Sequence, residues 1–157
     1  MRPSTLLGFR DTRPIEAIAR VAILLGGALL IAAPFLNWLG VHAHDFDRSY
    51  TLSSALERLK EEDLLGPGMS VIPIVVAGSV ALLASITGAI RAAGVVAIVI
   101  GAAAGAYAAY LHAALEYSTF GAMSPVQTTP GAGLFLAMAG ATLVFAGGLL
   151  RAVDPHR

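Results

Sequence analysis

Two histidines and two carboxylates stand close together in the run His42-Ala-His44-Asp-Phe-Asp47. In an extended segment alternate side chains share a face, so His42 and His44 point the same way. Imidazole with carboxylate suits Zn or Cu, and His42, His44 and Asp47 are the candidate ligands. A second group lies at His112 and Glu116, one helical turn apart, with Tyr110 and Tyr107 beside them. Its simpler reading is an interfacial polar cluster with aromatic anchoring, at the depth where a membrane meets water.

Other chemistry finds few residues to carry it. The chain has no cysteine, so disulfides, thiolate metal sites, iron–sulfur clusters and haem attachment through C-x-x-C-H are excluded. Ser79 and Ser85 have no histidine at their depth, and neither G-x-S-x-G nor H-E-x-x-H occurs. Met138 lies mid-span without a matching histidine for haem. The glycine clusters fall inside apolar runs, which leaves no phosphate-binding loop. The expectation is a protein that is not an enzyme, carries no cofactor and binds no nucleic acid.

The elements that must position these residues are dominated by lipid. Four apolar runs, residues 21–39, 71–90, 95–115 and 131–150, contain no Asp, Glu, Lys or Arg. About 20 apolar residues cross a hydrocarbon core about 30 Å thick. The hydrophobic fraction is 57%, charged residues are 13% and the mean hydropathy is +0.76, whereas a soluble domain is about half apolar and about a quarter charged. The sequence predicts an all-α integral membrane four-helix bundle, a single domain over residues 1–157. The run 41–43 resembles a signal cleavage site, but the apolar stretch before it exceeds the usual signal core of about 7–15 residues, so it reads as a retained anchor.

Local signals refine this plan. Pro14 suits a helix's first turn. Pro34 should bend the first span, and Asn37 and Trp38 should meet the outer headgroups. Of the loops 40–70 and 116–130, the first opens with an irregular or extended half. It then forms a short amphipathic helix, with a capping box from Ser54 to Glu57, Leu52, Leu56 and Leu59 on one face, and Gly66-Pro67-Gly68 as its stop. This helix either lies flat on the outer membrane face or covers the bundle top. The second loop shows no periodicity. Arg-Ala-Ala-Gly at 91–94 reads as a tight hairpin between spans two and three.

Charge is lopsided. Arg2, Arg10, Arg13, Arg20, Arg91, Arg151 and Arg157 fall on one side with Asp11, Glu16 and Asp154. Asp45, Asp47, Glu57, Glu61, Glu62, Asp63 and Glu116 fall on the other with Arg48, Arg58 and Lys60. Positive loops stay inside, so both termini are expected in the cytoplasm and the larger loop outside. Arginine outnumbers lysine nine to one, a bias of GC-rich bacterial genomes, which places the chain in a bacterial inner (plasma) membrane.

Small residues allow spanning helices to approach closely. The third span has Ala97, Gly101, Gly105, Ala109 and Ala113 in one row, including a GxxxG. The second has Ala77, Ala81, Ser85 and Ala89, and the fourth has Gly133, Ala137 and Ala141 beside Gly140 and Gly148. These rows either close the bundle or dock another protein. The docking reading takes Ala97, Gly101, Gly105 and Ala109 as one contact and Asp45, Glu57, Glu61 and Glu62 as a second.

With no ionisable group inside a span, an ion-coupled carrier is not expected. The leading functional reading is a non-catalytic accessory or assembly subunit of a larger complex, of respiratory or envelope lipid-transport type. Its partners would be other integral membrane subunits and membrane lipids. The alternatives are a small-molecule or lipid transporter acting as a homo-oligomer, and an outer-face metal or ligand sensor. The four-span plan is shared by tetraspan proteins of many kinds. Claudin-like proteins have the topology but need a loop disulfide that this chain cannot form.

Overall fold

Pro14 opens the first helix, where the missing N–H of proline is no loss. A computed structural model describes residues 14–43, 46–61, 69–87, 90–120 and 127–153. In it α1 spans Pro14–Ala32. Pro34 ends this helix instead of bending it. The chain tightens into a 3₁₀ turn over Ala33–Phe35 and then becomes extended at Leu36. The first membrane-length segment is therefore Pro14–Phe35, displaced towards the N-terminus from the expected 21–39.

Four further helices follow: α2 Leu52–Glu61, α3 Ile72–Ile86, α4 Ile90–Phe120 and α5 Ala132–Ala152. The protein is mostly helical, as expected. Pro14–Phe35, Arg91–Glu116 and Ala132–Ala152 are long and apolar enough to cross a bilayer, and they fit a membrane-embedded protein. α3 is shorter than the run 71–90. Its 15 residues extend about 22 Å at 1.5 Å per residue. It stops because the backbone of Thr87 turns extended. The stretch 91–94 is not a connection but part of α4, and the break between the two helices begins at Thr87. α4 has 31 residues, about 46 Å, and overshoots the expected span at both ends.

The connections are more ordered than a purely helical plan allows. β1 (Asn37–Ala43), β2 (Phe46–Thr51) and β3 (Gln127–Pro130) form a sheet in the order β2-β1-β3, antiparallel throughout. In the register, His42 faces Asp47, Val41 faces Arg48 on one side and Thr128 on the other, and Leu39 faces Pro130. β1 forms because it alternates. Leu39 and Val41 are buried while His42 is exposed, the period-2 pattern of a half-covered strand. The register shifts between Asn37 and Leu39. At that irregularity Trp38 turns down into the bundle and is fully buried. Its Nε1 donates to the Ala33 carbonyl at 2.7 Å, and a Cβ on Gly133 would strike its indole ring. Trp38 is thus a core residue, not the headgroup anchor expected from its position.

α2 begins a turn before the expected box. Thr51 is its cap: Ser54 N–H donates to Thr51 Oγ1 at 3.3 Å, and the Ser54 hydroxyl donates to the Thr51 carbonyl at 3.1 Å. Leu52 and Leu59 are fully buried, in one core with Leu111 and Leu115 of α4. The helix therefore covers the bundle end. The stop at 66–68 lies outside the described residues.

The bundle is drawn together by glycine. Two successive glycines on α1 make two different crossings. A Cβ on Gly26 would lie 2.6 Å from the Gly140 carbonyl oxygen of α5, and one on Gly140 would lie 2.8 Å from that of Gly26. Gly27 and Gly78 of α3 approach in the same way, at 2.9 and 2.7 Å. On the far side of α5, a Cβ at Gly101 would come within 2.6 Å of the Phe145 nitrogen. Backbones in direct contact maximise dispersion, which must carry helix association where lipid removes the hydrophobic drive. α1 and α5 thus form the centre, α3 packs on α1 and α4 packs on α5. α3 and α4 touch each other much less.

Candidate functional site

The outward face of the sheet gathers polar groups from all three strands. His42 stands in the middle strand. Its Nδ1 is 3.0 Å from Asp47 Oδ1 on β2, and its Nε2 is 3.2 Å from Thr129 Oγ1 on β3. Gly40 makes room for this contact, since a Cβ there would lie 2.6 Å from Thr129 Oγ1. On the other face of β3, the Thr128 hydroxyl donates to Glu116 Oε1 of α4 at 2.8 Å. Adjacent threonines therefore fasten β3 twice, once to the sheet and once to the bundle.

Carboxylate, imidazole and hydroxyl in series is the connectivity of a nucleophile with its base and orienting acid. The setting does not suit that chemistry. The side chains of His42 and Asp47 are 47% and 79% exposed, and such catalysis relies on a water-excluded, preorganised site. The array is a cross-strand clasp, and an exposed pair of this kind contributes about 0–1 kcal/mol. His42→Ala should therefore leave global stability within about 1 kcal/mol while speeding amide exchange in β3. Unchanged exchange at Thr128 and Thr129 would show that the clasp holds nothing.

The expected metal ligands are only partly assembled. His42 and Asp47 meet, and His44 lies outside the described residues. Among the described residues no group of three or more His, Asp or Glu comes together. Both ring nitrogens of His42 already face partners, so the pair by itself offers no metal centre.

The expected cluster at His112, Glu116 and Tyr110 is divided. Glu116 serves β3. Tyr110 is exposed and tilts against Tyr107, with ring centroids 6.2 Å apart. Among the described residues, the buried Nδ1 of His112 meets no hydrogen-bond partner. The functional residue that sequence reading undervalued is Tyr107. Its hydroxyl accepts from Ser70 N–H at 3.0 Å and donates to the Ser70 carbonyl at 2.9 Å, which pins the start of α3 to α4.

The opposite end of the bundle holds a buried guanidinium. Arg151, in the last turn of α5, is only 2% exposed. It donates to the carbonyls of Ala84 at 2.7 Å and Thr87 at 3.1 Å. Both lie at the end of α3, where carbonyls lack intrahelical partners. The Thr87 hydroxyl also donates to the Ala84 carbonyl at 3.0 Å, and Arg151 from α5 completes this C-terminal cap. Glu16, itself buried, pairs with Arg20 at 2.7 Å, and both lie close enough to Arg151 to act on it electrostatically.

The expected docking row on α4 is split. Ala97 and Gly101 are buried, with Gly101 against α5. Gly105 is half-buried and Ala109 is exposed. The first half of the row therefore closes this chain's own bundle and is not free for a partner helix. On α2, Glu57 and Glu61 are exposed one turn apart, while Asp45 and Glu62 lie outside the described residues. No protein-family model matches the chain, and no curated protein matches it.

Proposed function

We propose that this chain is a non-catalytic accessory subunit of a larger complex in a bacterial inner membrane. α3 serves as the fourth span, the bilayer thinning locally around a short helix. The sheet and α2 face outward and both termini face the cytoplasm. Arg20, Arg91 and Arg151 gather at the end opposite the sheet, which supports that orientation. The observation that carries the reading is the outer cap itself. Buried Leu52, Leu56 and Leu59 seat α2 on the bundle, so Glu57 and Glu61 are presented on a fixed surface rather than on a loose loop. The exposed surface carries Glu57 and Glu61 beside Lys60, a fixed charge pattern that suits a complementary patch on another subunit, where charge sets register and partner choice.

Glu57→Lys combined with Glu61→Lys tests this directly, because both side chains are exposed and the fold should not depend on them. In mild detergent the double variant should lose a stoichiometric partner by about tenfold or more while keeping its unfolding midpoint. Equal recovery of the partner would remove this face from the interface.

A further inference from the structure

Where α3 and α4 part, they leave an apolar cleft of about 440 Å³. Val76, Ala77 and Val80 form one wall, and Ile100, Ala103 and Tyr107 form the other. The cleft begins beside the Tyr107–Ser70 junction and runs about 10 Å to the middle of both helices, within the roughly 15 Å depth of one leaflet. Ala77 and Ala103 are small enough to let the two backbones meet, as Gly27 and Gly78 do, yet they do not. Tyr107 holds the first turn of α3 through both backbone groups of Ser70 and acts as a spacer. The small residues here make room instead of contact.

Such a space has definite requirements. Its walls offer water almost no partners, and an ordered water needs about two to four. Left empty, it would forfeit the dispersion contacts that hold helices together in lipid. The cleft is about 10 Å long, apolar along its length and open to the outside of the bundle, which suits a single extended acyl chain. We propose that the α3–α4 cleft is a binding site for one hydrocarbon chain of a bilayer lipid, with its polar end at the Tyr107–Ser70 junction. This requires α3 and α4 to lie in hydrocarbon but does not depend on the partner proposed above.

The test uses the full chain in phosphatidylcholine vesicles containing a phosphatidylcholine with a mid-chain diazirine. After photolysis, adducts at Val76, Val80 and Ile100 should be about threefold denser than at Leu24 and Leu25, equally apolar residues exposed on α1. Ala103→Trp fills the cleft from an exposed position and should bring the cleft down to the level of α1. Val76→Trp should do the same should the first variant fold poorly. Equal labelling of the cleft and α1, or cleft labelling unchanged by tryptophan, would overturn the site. So would rapid, complete disulfide formation in the Ala77→Cys, Ala103→Cys pair, which would mean that the helices close on each other.

Discussion

Alanine at Gly101 should destabilise the bundle by about 1–3 kcal/mol, while alanine at Gly105, its partner in the GxxxG, should change stability by less than about 0.5 kcal/mol. The two positions look equivalent in sequence and are not equivalent in space. A methyl at Gly101 would press on the Phe145 nitrogen at 2.6 Å and the Ala141 carbonyl at 2.8 Å, both backbone atoms of α5 that cannot rotate away. A methyl at Gly105 would meet only the Ala141 Cβ at 3.5 Å, an ordinary contact. Equilibrium unfolding in mixed micelles, followed by the fluorescence of the buried Trp38, measures both changes. Equal effects would mean that α4 does not pack on α5 through Gly101. Leucine at Gly101 should prevent recovery of folded protein altogether, for reasons internal to the chain and independent of any partner.

Arg151→Met should cost about 3 kcal/mol. The substitution keeps a long apolar stem and removes the donors that reach the Ala84 and Thr87 carbonyls. The charge it removes lies close to both Arg20 and Glu16, so the lost attraction to the carboxylate is offset by relief of repulsion from Arg20, and the expected cost rests on the two carbonyls. Arg151→Lys should recover only part of the loss, because one ammonium cannot reproduce the planar fork that reaches two carbonyls. Loss of the cap should fray the end of α3 first. Amide exchange at Ala84 and Ser85 is the local readout and the unfolding midpoint the global one. A methionine variant within about 0.5 kcal/mol of the native chain would show that the guanidinium is not the cap.

The long apolar runs announced three of the helices because a membrane crossing needs length and composition, and both are written plainly in the sequence. What escaped depends on partners far away in the chain. Gly26 and Gly27 form no four-residue row, yet each lies on a different crossing, one to Gly140 and one to Gly78. No sequence window holds both members of such a pair. The GxxxG row was legible as a packing face but not as to whose helix it would meet. The sheet hid for another reason. Leu39 and Val41 alternate with Gly40 and His42, but that is only a few residues of period, and β3 is just Gln127–Pro130. Its strand character comes from pairing with β1, not from its own residues. Within the candidate site, His42 with Asp47 was legible as a pair on one segment. Thr129 was not, because only the fold brings it across 87 residues to the imidazole. The amphipathic helix was found from its leucines, and its start was misplaced because Thr51 and Ser54 can both cap and the choice depends on where β2 ends.

The most direct measurement is the native mass of the tagged chain after gentle extraction from its own membrane. An accessory subunit should appear in a heteromeric assembly of fixed stoichiometry, and Glu57→Lys with Glu61→Lys should release it. If the chain instead emerges alone or only with copies of itself, and that pure material moves a solute across vesicle membranes, then the role as an accessory subunit is contradicted.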